Sequence, residues 1–322
     1  MLATSDEAGH PSSLEQVHWH LTLKRESWYV MSLRMPREKQ LLDENWRYAQ
    51  SLRVNQPSEY IAFLKTEARF KGCGLDDLPK HAILLHDAEA QEQIVRLGYA
   101  VEDYRFVETG TTDPNVFWVI HGKNGDPDFV LNRGLPGAGG VATQAAELCA
   151  LGIDSMVHIG TCGLVGDTVK TGSVVVSHGS FKDAGATMLS PTAANCSDPV
   201  ARPDSGLTAG IEAKCSAAGI PHDVATGYTI PIYYFQPADL IYDLITGEAF
   251  PAGPPVGYFE MEQASFFQTC VLMGKRAASM VIGSDRYRLV DGRLTHVFED
   301  GVDQDAAKLA MIRAALAAFK ES

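Results

Sequence analysis

From His81 onward, short runs of β-branched and apolar residues alternate with longer amphipathic runs. Strands interleaved with helices in this rhythm assemble into a largely parallel sheet covered on its faces, which removes most other architectures from consideration. The strand candidates lie at 82–85, 116–120, 156–159, 173–177 and 278–282. Helices are predicted at 141–151, 207–218, 262–273 and 303–320, and in the last Leu309, Ile312, Leu316 and Phe319 recur at helical spacing as a core stripe. The expected fold class is α/β: a single twisted mixed sheet flanked by helices on both faces.

The beginning of the chain has a different texture. It is charged and helical in pattern over 36–49 and 58–71, and the breaker Gly72-Cys73-Gly74 follows. These residues predict an N-terminal helical extension over 1–78, packed on the core or on a partner subunit, ahead of an α/β domain over 79–322.

Of 322 residues 45% are hydrophobic, enough to bury a large core, while the formal charge of -13 repels phosphate backbones and anionic membranes. Neither nucleic acid nor membrane is therefore an expected partner. The sequence contains no run of about eighteen apolar residues, and its first twenty residues hold no basic start followed by an apolar stretch. A cytoplasmic location is expected. Cys73, Cys149, Cys162, Cys196, Cys215 and Cys270 stand far apart without CxxC or Cys/His spacing, so they read as reduced thiols and predict no metal. Cys162 sits in a glycine-rich stretch, but nothing in the sequence fixes a base beside it.

Two segments can carry chemistry. His158-Ile159-Gly160-Thr161-Cys162-Gly163-Leu164, followed by Thr171-Gly172-Ser173-Val174-Val175-Val176, runs an apolar strand into Gly-Thr-x-Gly. That puts a hydroxyl and bare N–H groups where open α/β sheets bind ligands, although a glycine-rich turn serves plain connection equally well. The second segment is Glu260-Met261-Glu262-Gln263-Ala264 opening a helix, with Gly283-Ser284-Asp285-Arg286 closing the next strand. Each carboxylate alone could be a cap. Carboxylates at the ends of successive elements can also converge on one crevice.

With these blocks in this order, and an aromatic stretch around Tyr234-Phe235 between them, the sequence from His81 onward resembles the nucleoside phosphorylase superfamily of purine nucleoside phosphorylases, uridine phosphorylases and methylthioadenosine nucleosidases. The resemblance implies cleavage of a nucleoside's N-glycosidic bond without a cofactor. It implies that Glu262, with Glu260 and Met261 beside it, holds the ribose, since a carboxylate accepts two hydroxyl hydrogen bonds that tighten as the sugar becomes cationic. It implies that Tyr234 and Phe235 line the base pocket, and that Asp285 protonates the departing base through an oxocarbenium-like transition state, which favours a purine. Arg286 falls where the uridine-cleaving members use an arginine on the base. It also implies a homo-oligomer, a dimer or trimer of dimers, with His18 or His20 completing a neighbour's site.

The departures are as informative as the matches. Phosphorylases hold phosphate with a Gly-Asp-Pro-x-Arg turn and with an arginine before Gly-Thr; this chain reads His86-Asp87-Ala88-Glu89-Ala90 and His158 at those places. Phosphate prefers guanidinium forks, and carboxylates nearby oppose it. Hydrolysis is thus expected over phosphorolysis, with His158, Gly160 and Thr161 as the phosphate-or-water site and Glu89, or Glu92 behind it, as the base that activates water. Phosphorolysis stays open if His158 is protonated or Arg96, Arg105 or Arg133 reaches in. A nucleoside-binding or storage protein without turnover is the reading from another class, and the retained acid argues against it.

Overall fold

The computed structural model describes residues 56–66, 77–106 and 115–321. In chain order its strands are β1 (His81–Leu85), β2 (Val101–Phe106), β3 (Asn115–Ile120), β4 (Phe129–Arg133), β5 (Ser155–Val165), β6 (Val174–Phe181), β7 (Val200–Ala201), β8 (His222–Thr229), β9 (Val256–Glu260), β10 (Arg276–Val290) and β11 (Arg293–Phe298). The helices are α1 (Pro57–Thr66), α2 (Ala90–Arg96), α3 (Gly137–Ala150), α4 (Ala184–Met188), α5 (Ala193–Ser197), α6 (Ser205–Ala217), α7 (Ala238–Thr246), α8 (Gln263–Leu272) and α9 (Gln304–Phe319).

All strands join one mixed sheet of order β11-β10-β6-β8-β9-β5-β1-β4-β3-β2, with β7 on β6. Because β10 also pairs in parallel with β5, the path β10-β6-β8-β9-β5 closes on itself into a small barrel, and β1-β4-β3-β2 extends from it as an open wing. Side chains fill the barrel: Cys162, Leu164, Val175, Val281 and the fully buried Tyr258 form one cluster. Closure removes two edges that would otherwise need covering.

The period-2 alternation of strands decides which face each residue serves. Ala82 and Leu84 of β1 pack with Val141, Ala145 and Leu148 of α3 and Phe266 and Phe267 of α8, while Ile83 and Leu85 pack with Ile94 of α2, Ile211 of α6 and Ile312 and Leu316 of α9. Each fully buried aliphatic or aromatic side chain in these layers contributes about 1.5–3 kcal/mol. The predicted helix at 58–71 is α1, and Ile61 docks it on the α3 side of the core. The predicted helix at 36–49, the Gly72-Cys73-Gly74 breaker and His18 and His20 lie outside the described residues.

One expectation about backbone form changes. Gly160 to Gly163 are not a loop beyond a strand: β5 runs unbroken through them to Val165. The glycines serve close approach instead, since a Cβ on Gly163 would lie 2.8 Å from the Phe259 ring. A strand without side chains at that point lets β9 pack its aromatic ring directly across the backbone. Among the described residues, no helix is long and apolar enough to cross a membrane.

Candidate active site

A cleft of about 180 Å3 opens where β1, β5, β9 and β10 meet, lined by His86, Gly160, Thr161, Tyr233, Met261, Glu262, Ser284 and Asp285 among others. Thr161 is the only exposed residue of β5, so its side chain points into this space. Thr161, Glu262 and Asp285, far apart in sequence, thereby share one cavity. A larger groove of about 480 Å3 lies elsewhere, lined by Thr171, Ile220 and Asp303, but Asp303 is occupied in capping α9 through the Ala306 N–H.

The start of α8 explains the division of labour between Glu260 and Glu262. Helix N-termini leave amides without partners, and here Glu260 Oε2 accepts from Glu262 N and Gln263 N, each at 2.6 Å, while Thr229 Oγ1 accepts from Ala264 N at 2.9 Å. Glu260 Oε1 accepts from Thr229 at 2.5 Å and Ser180 at 3.1 Å. Both oxygens are thus committed to the fold, although Glu260 touches the cleft. Burial, and then the Glu262 charge, push the Glu260 carboxyl above its ordinary range despite these donors. Glu262 is free in a way Glu260 is not. Its Oε1 accepts from Gly137 N at 2.7 Å and its Oε2 from Met261 N at 3.2 Å, which leaves two of its roughly four acceptor positions for a ligand. Burial raises its pKa as well.

Asp285 follows a bulge at Ser284 that shifts the β10–β5 register. Bulges re-aim side chains, and this one turns Asp285 toward the cleft. The carboxylate is buried, accepts from Ser284 Oγ at 2.6 Å and lies 2.8 Å from His296 Nε2. His296 pairs across the β10–β11 hairpin with Tyr287, two residues from Asp285 on the same face, and stacks on the Tyr287 ring at 4.4 Å. Nothing in the sequence near Asp285 marked His296; only the hairpin register brings it there.

His86 lines the cleft and packs against a second histidine, His158. His86 leaves β1 and His158 lies opposite in β5, with ring centroids 4.7 Å apart. Gly134 makes room, because a Cβ there would come within 2.3 Å of the His86 ring. His158 is buried and its Nδ1 is 2.8 Å from Ser279 Oγ, whereas the Nε2 atoms of both histidines are sealed from solvent without a hydrogen-bond partner. Burial holds His86 down to about 4 and His158 well below its ordinary value. One nitrogen from each, together with a Glu262 oxygen, fall within 4.8 Å of one another. Sequence spacing predicted no metal-ligand cluster; the fold assembles this one from three separate elements.

Several residues singled out from the sequence lie elsewhere. Glu89 sits at the start of α2 with its side chain 62% exposed and 3.8 Å from Arg96, and Glu92 is exposed on the same helix, so neither lines the cleft. Asp87 pairs with Lys308 at 2.7 Å. Tyr234 and Phe235 are 71% and 96% exposed, and Tyr233 is the aromatic residue that reaches the cleft wall. Arg286 points the opposite way from Asp285, as strand alternation requires. Its guanidinium donates to Glu299 at 2.5 Å and to the carbonyls of Gly166 and Val169. Arg96 is bound to Asp305 at 2.9 Å, and Arg133 is exposed at the end of β4. Burial, then the fields of Asp285 and Glu260, raise the Cys162 thiol well above its ordinary value, which suits a packing residue and not a nucleophile.

A mixed sheet that closes into a partial barrel, with facing carboxylates in a cleft along its central strands, defines the class of protein. The chain belongs to the Phosphorylase superfamily, which matches residues 80–319. That family consists of nucleoside phosphorylases and nucleosidases, and the chain accordingly falls among glycosyl-transfer enzymes that act on nucleosides. No curated protein matches the sequence.

Proposed function

We propose that the protein releases a nucleobase from a nucleoside by hydrolysis, with a purine favoured. The observation that carries this reading is the electrostatic character of the cleft: among the described residues it is lined by Glu260, Glu262 and Asp285 and by no lysine or arginine. A phosphate dianion would enter a site that already holds carboxylates at low dielectric and offers no guanidinium fork, while water meets no such barrier. Of the groups that could restore a phosphate site, Arg96 is engaged with Asp305 and burial lowers the pKa of His158, which favours its neutral form.

In this reading Glu262 accepts the ribose hydroxyls and Met261 packs on the sugar, while Glu260 holds the start of α8 so that Glu262 is correctly placed. Asp285 delivers a proton to the departing base, and His296 orients and recharges it. Tyr233 faces the base, in the role the sequence had suggested for Tyr234 and Phe235. Thr161 and Gly160 border the nucleophile.

The experiment is a panel of nucleosides with and without phosphate, scored by nucleobase release and by the identity of the sugar. Free ribose at a rate insensitive to phosphate is expected. Ribose 1-phosphate, formed at a rate saturating in phosphate, would overturn hydrolysis, and binding without base release would overturn catalysis.

A further inference from the structure

We propose that His86, His158 and Glu262 bind a divalent transition-metal ion of the zinc class beside the cleft. The donor set is two imidazoles and one carboxylate, which suits zinc and its neighbours and not magnesium or calcium, and Glu262 gives the ion one of its two free acceptor positions and keeps the other for the ribose hydroxyls. The ligand atoms approach within 4.8 Å of one another. Around a tetrahedral zinc with bonds of about 2.0–2.1 Å, ligand atoms stand roughly 3.4 Å apart. Ligation would bring the ligand atoms closer by up to about 1.4 Å.

The second observation is the state of the imidazoles. A buried polar atom without a partner is uncommon and calls for a reason. Here two occur together, His86 Nε2 and His158 Nε2, in rings whose centroids are 4.7 Å apart. The outer contacts are those of a ligand set. With His158 Nδ1–H donating to Ser279 Oγ at 2.8 Å, the Nε2 lone pair is left to ligate, and the Glu262 carboxylate is oriented by the N–H groups of Gly137 and Met261. Gly134 leaves the space that the His86 ring occupies, since a Cβ there would lie 2.3 Å from it.

Three protein ligands leave a fourth position, and two of those ligands, His86 and Glu262, line the cleft together with Thr161. This leaves room for water, the arrangement of a catalytic and not a structural zinc. The consequence for chemistry rests on the hydrolytic reading above, whereas the binding of the ion does not. Water bound there ionises near neutral pH, its proton passing to solvent. The resulting hydroxide forms the new bond to the sugar carbon as the carbon–nitrogen bond breaks, the bonding electrons leave with the base, and Asp285 supplies the base with a proton. No carboxylate base is then needed, which accounts for a cleft that Glu89 does not enter.

The test uses the full chain, stripped with a chelator and titrated with zinc alone and with cobalt alone. About one ion per chain is expected, with visible cobalt bands of a low-coordinate nitrogen–oxygen site. X-ray absorption on the wild-type zinc form should count two imidazoles per ion. His86→Asn and His158→Asn should each weaken zinc by more than roughly tenfold, the smaller end of what even an outer-contact change costs. His178→Asn, a surface histidine paired with Glu212, should leave affinity unchanged. Failure of the stripped wild type to bind zinc, or an absorption spectrum with fewer than two imidazoles, overturns the proposal, and the spectrum decides even if the histidine variants do not fold. Zinc bound with two imidazoles but no base release from any nucleoside would leave the metal site standing and sink the proposed function instead.

Discussion

Asp285 is held from two sides, by Ser284 Oγ and by His296 Nε2, so its carboxylate is positioned before any substrate arrives. Asp285→Asn keeps the shape and removes the proton donor. Turnover should fall about a hundredfold to ten-thousandfold with the melting temperature nearly unchanged, measured as nucleobase release beside a thermal unfolding scan. Glu262→Ala should be as severe, because it removes contacts that strengthen in the transition state. His296→Gln should lose less and should alter the pH profile of kcat, a change that a purely structural contact would not produce. Lys182 offers a prediction about stability. Burial depresses its pKa from 10.5 to about 8. Between those values the unfolded chain holds a proton the folded chain lacks, so folding is favoured as pH rises from about 8 to 10.5 and is penalised below. Lys182→Met removes this penalty together with the hydrogen bond that Nζ donates to the Asn195 carbonyl, so its effect on stability should be more favourable at pH 7 than above about pH 10.5. Urea unfolding at both pH values measures it.

At the scale of elements, the site depends on how α8 begins and on how β9 crosses β5. Glu260→Ala would leave the hydroxyls of Thr229 and Ser180 and the amides of Glu262 and Gln263 without their acceptor. Each buried group so abandoned costs about 1–3 kcal/mol, and a loss above about 3 kcal/mol is expected in denaturant titration. A loss of activity at unchanged stability would instead make Glu260 a substrate ligand. Gly163→Ala drives a methyl toward the Phe259 ring and should destabilise by about 1–3 kcal/mol, with Phe259→Leu in the same chain recovering part of it. The elements themselves were largely legible. The runs at 82–85 and 116–120 and the helix at 303–320 appear as β1, β3 and α9 within a residue or so at each end, because strong periodicity leaves few alternatives. The strands at 156–159 and 278–282 proved far longer, as β5 and β10, since glycine and charge read as strand ends unless a neighbour is known to cover them.

For the whole molecule, the exposed run Ile232, Tyr233, Tyr234 and Phe235 stands at the mouth of the cleft, and four adjacent apolar side chains in water are a surface in want of a cover. We expect at least a dimer that buries this run. Light scattering should report it, and Phe235→Glu should shift it toward monomer and lower the affinity for nucleoside. A wild type that is monomeric at working concentration would remove the expectation.

What the sequence alone determined is what repeats locally or is carried by contiguous residues: the α/β class from period-2 and 3.6 patterning, the family from blocks in order, and Glu262 and Asp285 as the residues to watch. The absence of arginines at Ala90 and His158 was also plain there. Only the tertiary structure decided what those positions do. It closed β10 onto β5, turned Arg286 away from the cleft into Glu299, left Glu89 outside, brought His296 to Asp285 through a hairpin register, and set two histidines from different strands ring to ring. The physical reason is that side-chain direction and strand register are fixed by packing between distant segments, and a one-residue change in register moves every side chain to the other face without altering the local pattern that a sequence displays.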